Sequence, residues 1–183
     1  MKMMKAMRMG VGSLAVGCLL MIAGSGSAQR TGQGRHEWRA AKPAELEAVL
    51  PARAPVEKER IETEMRTATG VIDGRGKVIA AVVLITAGYA ANGKYSHYLL
   101  VQSPMRIGSD LLLPVGNYAI GWTRAAEGLS VHIYEAETGV ERGNILARPL
   151  AQPLPIVSVK IWPPAEHSLI QIGRFALPYV MEQ

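Results

Sequence analysis

The chain is expected to be all-β, an antiparallel β-sandwich, with a small closed barrel as the alternative. An N-terminal leader, disordered or partly helical, precedes it. Three observations lead there. Short apolar runs, many of them alternating, recur along residues 56–183 with turn signals at near-regular spacing. β-Branched residues crowd those runs. No long helical period interrupts them, which disfavours a parallel sheet with crossover helices.

The elements follow in order. Residues 1–28 read as a cleavable secretory signal. Lys2, Lys5 and Arg8 form a basic start, residues 14–23 an apolar heart, and residues 25–28 (Ser-Gly-Ser-Ala) a small-residue cleavage site. The apolar stretch is shorter than the roughly 18 residues of a permanent span. A lipid anchor on Cys18, which follows Gly17, is the alternative. Ala15 stands where a larger aliphatic is usual, and residues 19–22 carry the apolar core past the cysteine. Cleavage near Ala28 sends the mature protein to the periplasm or beyond, its only contact with the membrane being the signal before cleavage. It also removes the single cysteine, so no disulfide or thiolate metal site remains.

Residues 29–55 read as a flexible leader. Pro43 opens a short helix that Pro51 ends, and residues 51–55 form an extended tether. Trp38 is the one residue there that a linker does not need. The domain then spans residues 56–183. Residues 61–69 alternate in part, with Ile61 and Met65 on one face. Asp73-Gly74 marks a hairpin with positive φ at its centre. Residues 77–86 are a continuous apolar run whose β-branched content favours a strand over a helix. Residues 95–102 alternate, with Tyr95, His97, Leu99 and Val101 on one face. A short strand pair flanks residues 108–110. A strand from Gly116 carries Tyr118, Ile120 and Trp122 on one face. Another places Leu129, Val131 and Ile133 inward, and residues 140–146 return from the Thr138-Gly139 turn. Residues 156–162 and 168–175 supply the last two strands.

The run Leu113-Pro114-Val115-Gly116-Asn117-Tyr118 resembles the turn-and-strand opening of transthyretin-like and carboxypeptidase-regulatory-like modules. Residues 88–98 resemble a group of uncharacterised exported β-sandwich proteins of soil bacteria. The resemblance implies architecture and carries no activity with it.

Charge narrows the partners. The whole chain carries +5, but the three signal cations leave with the signal, and the mature part holds 17 basic against 15 acidic residues. That balance, with a single phenylalanine, argues against nucleic acid. The expected partner is an envelope protein, a peptide or a glycan. Tyr89, Lys94, Tyr95, His97 and Tyr98 cluster at one loop and strand start, and form the candidate binding patch. The competing possibility is that these rings fill one end of the core.

No zinc-protease, nucleophile-elbow or phosphate-loop motif is present. Ser96 and His97 are neighbours on a strand and are expected to point to opposite faces. No cofactor is called for. The sequence therefore favours a non-enzymatic binding or structural module of the cell envelope. The alternative is a metal-binding protein or hydrolase in which His97 and His132 meet across strands. A transmembrane barrel is a third possibility, which the short strands and Lys160 and Arg174 oppose.

Overall fold

The structure, a computed structural model, describes residues 38–86 and 93–182. The chain folds as an antiparallel sandwich of two leaves. The first leaf contains β1 (Arg39–Ala40), β4 (Thr69–Ile72), β5 (Val78–Leu84), β6 (His97–Val101), β9 (Gly116–Ala125), β10 (Gly128–Glu135) and β11 (Glu141–Pro149), in the order β1-β4-β5-β6-β9-β10-β11. The second leaf contains β12 (Val157–Trp162), β13 (Leu169–Gly173) and β14 (Phe175–Met181), with the small pair β7 (Met105–Ile107) and β8 (Leu111–Leu113) continuing beyond β14.

β11 makes the corner. Residues up to Ala147 pair with β10, whereas Arg148 and Pro149 pair with Phe175 and Ala176 of β14. The second leaf folds back until the Ile161 N–H donates to Thr69 Oγ1 at 3.2 Å. No ladder joins β12 to β4, so the barrel alternative is not the one adopted.

The alternation read from the sequence sets the inner face. Leu99, Tyr118, Ile120, Val131, Ile133, Ile161, Ile170 and Leu177 all point between the leaves and are buried. Each such aliphatic side chain contributes about 1.5–3 kcal/mol on burial. A second cluster lies on the other face of the first leaf. There Leu46, Leu50, Ala54, Val56 and Ile61 cover Ile72, Val78, Ala81, Val83 and Tyr98. β5 is thus buried on both faces, which explains why its sequence is a continuous apolar run rather than an alternating one.

The cover comes from residues expected to be a tether, and here the sequence expectation is corrected. The helix is present, as α1 (Pro43–Glu47), but it is packed down through Leu46. The Glu45 carboxylate closes its start by accepting the Lys42 N–H at 2.7 Å and a two-pronged contact from Arg39 at 2.6 and 2.9 Å. Residues 51–55 run into a hairpin, β2 (Arg53–Val56) and β3 (Glu59–Glu62), not into a free linker. Trp38 packs against the inner cluster. The ordered domain therefore reaches back to at least residue 38 rather than starting at 56.

Two further details differ. The hairpin at residues 73–77 forms, but its positive φ falls on Gly76 at 82°, not on Asp73 or Gly74. The Asp73 side chain organises the turn instead, accepting the Arg75 and Lys77 N–H groups at 2.9 Å. β14 was not expected as a strand of its own. It follows β13 through a tight turn at Gly173 and carries Pro178 opposite Leu169.

Candidate functional site

The expected aromatic patch does not assemble as one surface. Tyr89 lies outside the described residues, as do the signal segment, Cys18 and His36. Lys94 is exposed, with its ammonium 4.1 Å from the Tyr134 ring and 5.0 Å from the Tyr95 ring. Tyr95 and Tyr98 are buried in the outer cluster, and His97 is buried in the layer between the leaves. The rings fill core space, which corrects the binding-patch expectation. The sequence parity also fails at Tyr95. It precedes β6, where the chain crosses over Gly121, and so joins Tyr98 rather than His97. At Gly121 any side chain would run into the Lys94 carbonyl.

His97 and His132 cannot share an ion. His97 opposes Ile120 on β9 and His132 opposes Gly121, so the two rings point to opposite faces of the sheet. Burial pulls the His97 imidazole down to about 4. Its ring lies 5.2 Å from that of Trp122. A void of about 10 Å³ beside it, lined by Ile107, Ile120 and Val131, is too small for a ligand. Ser96 does reach His97, with Oγ 3.1 Å from Nδ1, because Ser96 sits before the strand and escapes its alternation. Its hydroxyl proton goes to the Ile120 carbonyl at 3.1 Å, so it is not a nucleophile held by a base.

His132 faces outward. Its Nδ1 is 2.8 Å from Glu141 Oε1 and its Nε2 is 3.2 Å from Ser130 Oγ. The ring stacks on Tyr134 with centroids 6.3 Å apart.

A concavity lies at one end of the sandwich. It is an open groove of about 710 Å³ between the β2–β3 turn, the segment entering β9 and the β10–β11 turn. Its floor is tied down. Tyr118 donates its hydroxyl to the Pro114 carbonyl at 2.8 Å, and a side chain at Gly116 would press on that hydroxyl at 3.2 Å. This is the physical content of the motif over residues 113–118. The strand-to-strand connections lock as well. Glu57 donates its backbone N–H to Ala136 O at 2.6 Å, with φ at 52°, and Ala136 donates to Asn117 O at 3.0 Å. The Glu57 carboxylate accepts the Tyr95 hydroxyl at 2.5 Å, and burial together with that carboxylate pushes the phenol well above its ordinary range. Arg142 and Thr138 hold Glu135 at 3.1 and 3.0 Å. On the rim, Lys58, Glu59, Arg60 and Glu137 make no ion pair among the described residues. Val115, 61% exposed, adds an apolar contact.

Sequence reasoning missed this groove. Its walls are segments far apart in the chain, and the motif over residues 113–118 forms one of them. Compared with protein-family models, curated proteins and solved structures, the chain matches none.

Proposed function

We propose that the protein is exported through its first 28 residues and acts in the cell envelope as a binding module whose groove takes a short peptide segment with charges of both signs. One observation carries this. The groove has a rigid, hydrogen-bonded floor, while its rim presents two acids and two bases without partners among the described residues. A preorganised floor lowers the ordering cost of binding, and mixed rim charges give orientation. A glycan fits less well. Stacking on sugars needs an exposed ring, and the ring lining the groove is Tyr118, buried and with its hydroxyl engaged.

The test is panning of a displayed random decapeptide library against the protein purified from an exporting host. Enrichment of charged sequences that compete with one another, and that are lost on Asn117→Trp, supports the groove. Equal enrichment on that variant, or none, ends the proposal. Amino-terminal sequencing of the exported chain is expected to begin at Gln29. A lipid-modified Cys18 would move the protein to a membrane surface instead.

A further inference from the structure

The outer face of β10 carries a constellation that the groove does not use. Ser130 and His132 lie two apart on one strand, hence on one face. Glu141 comes from β11, and a bulge puts it there. The register shifts between Ile133 and Tyr134, so Tyr134 opposes Glu141 instead of Arg142. Without that extra residue Glu141 would point to the other face and an arginine would stand near the histidine. The bulge thus selects a carboxylate for His132 Nδ1, at 2.8 Å.

The contacts assign the proton. A carboxylate on Nδ1 holds the N–H at that nitrogen, which leaves the Nε2 lone pair aimed at Ser130 Oγ, 3.2 Å away. The order of atoms, hydroxyl to Nε2 and Nδ1 to carboxylate, is the one that makes a serine nucleophilic. Tyr134, stacked on the imidazole, limits its rotation. Ser130 opposes Thr123 on β9, and His132 opposes Asn144 on β11. Thr123 and Asn144 are exposed. His132 and Glu141 keep 26% and 40% of their side-chain surface, so reagent reaches them.

We infer that Ser130, His132 and Glu141 form a nucleophilic site that cleaves small, activated carboxylic esters on the open face of the first leaf. Ser130 Oγ bonds to the ester carbonyl carbon while its proton passes to His132 Nε2. The bond from that carbon to the leaving phenoxide breaks, and the proton departs with it. Water, giving its proton to the same nitrogen, then attacks the acyl-serine; the bond from the acyl carbon to Ser130 Oγ breaks, Oγ takes the proton back from Nε2, and the carboxylic acid leaves. Ser130 is partly exposed on the open face of β10, opposite exposed Thr123, and this sets the substrate class. Bulky or unactivated esters gain no binding energy here, whereas a small acyl group needs none. Glu141 is a positioning residue, acting through His132.

The experiment uses the exported protein with a fluorophosphonate probe, in which Ser130 Oγ displaces fluoride from phosphorus, and with p-nitrophenyl acetate. Peptide mapping is expected to place the phosphonyl group on Ser130. Ser130→Ala removes the label, and His132→Ala or His132→Gln slows it about 10²-fold. Glu141→Gln slows acylation while leaving the melting temperature unchanged, and it shifts the imidazole N–H proton resonance, which a purely structural carboxylate on this exposed strand would not couple to rate. His167→Ala controls for reaction at surface imidazole and leaves the rate unchanged. A label found on other residues, none on the folded wild-type chain, or labelling of Ser130 indifferent to both His132 variants overturns the inference and leaves the trio as an exposed hydrogen-bonded network. Because the wild-type map decides by itself, a variant that fails to fold does not rescue it. The groove proposal is untouched by either result, since Asn117 lies beside Ala136 at the start of β9, away along the strand from Thr123, which opposes Ser130.

Discussion

His97 and His132 stand two strands apart on one sheet and meet opposite chemistry. His97 is 3% exposed, pressed toward Trp122 and the inner aliphatic layer. His132 looks out to solvent with a carboxylate on one nitrogen and a hydroxyl near the other. One residue of register on β9 separates the two environments, Ile120 for the first and Gly121 for the second. A sheet sorts side chains by parity before distance, so neighbours in the ladder can belong to different solvents. The lesson extends to the whole first leaf. Its inner face is apolar apart from His97 and Thr69, while its outer face is roofed at one end and bare and polar at the other.

The largest expected effect comes from the close approach of the Lys94 backbone to Gly121. Gly121→Ala places a methyl group against the Lys94 carbonyl. It is expected to cost at least about 4 kcal/mol, by thermal or urea unfolding. A variant melting within a few degrees of wild type would break the account of the close approach.

Next comes acid. The unfolded His97 titrates near 6.5 and the folded one near 4. The folded state therefore binds fewer protons between those values. Its stability is complete above about pH 6.5 and falls by about 3 kcal/mol as pH drops to about 4. Urea midpoints measured across that window check the slope, and His97→Gln is expected to remove it.

Adjacent residues of β10 sharpen the contrast. Ile133→Ala, on the buried side, is expected to cost about 3 kcal/mol. Tyr118→Phe, which removes only the hydroxyl held by Pro114, is expected to cost about 1 kcal/mol and to loosen the groove floor. The smallest change in stability is that of His132→Ala, within about 0.5 kcal/mol, even as it slows the reaction of Ser130 about 10²-fold. A cost comparable to that of Ile133→Ala would show His132 to be a packing residue.

Much of this frame was legible in the chain. Alternation at Tyr118, Ile120 and Trp122, and at Leu129, Val131 and Ile133, named the inner face correctly because the positions between them, Ala119 and Gly121, Ser130 and His132, are small or polar. Pro55 and the charges of β3 hid the cover hairpin, since both argue against a strand unless it is short and at an edge. Pro178 hid β14 in the same way. For the candidate sites, the Ser130–His132 spacing was visible from parity alone. Glu141 was not, because its face depends on a bulge that no local pattern announces. The groove was hidden for a simpler reason. It is made where distant turns converge, and a single sequence shows turns but not their meeting.

The double burial of β5 has a consequence for how the chain must be handled. Until α1 and the β2–β3 hairpin dock, Val78, Ala81 and Val83 present a bare apolar strip on a sheet surface, the kind of surface on which partly folded chains associate. The covering segment lies N-terminal to the strip and is made before it, so newly synthesised β5 emerges with its own shield already at hand. A fragment starting at residue 63 discards that shield. It would be expected to precipitate where the longer chain stays dispersed, although every strand of the inner core would still be present.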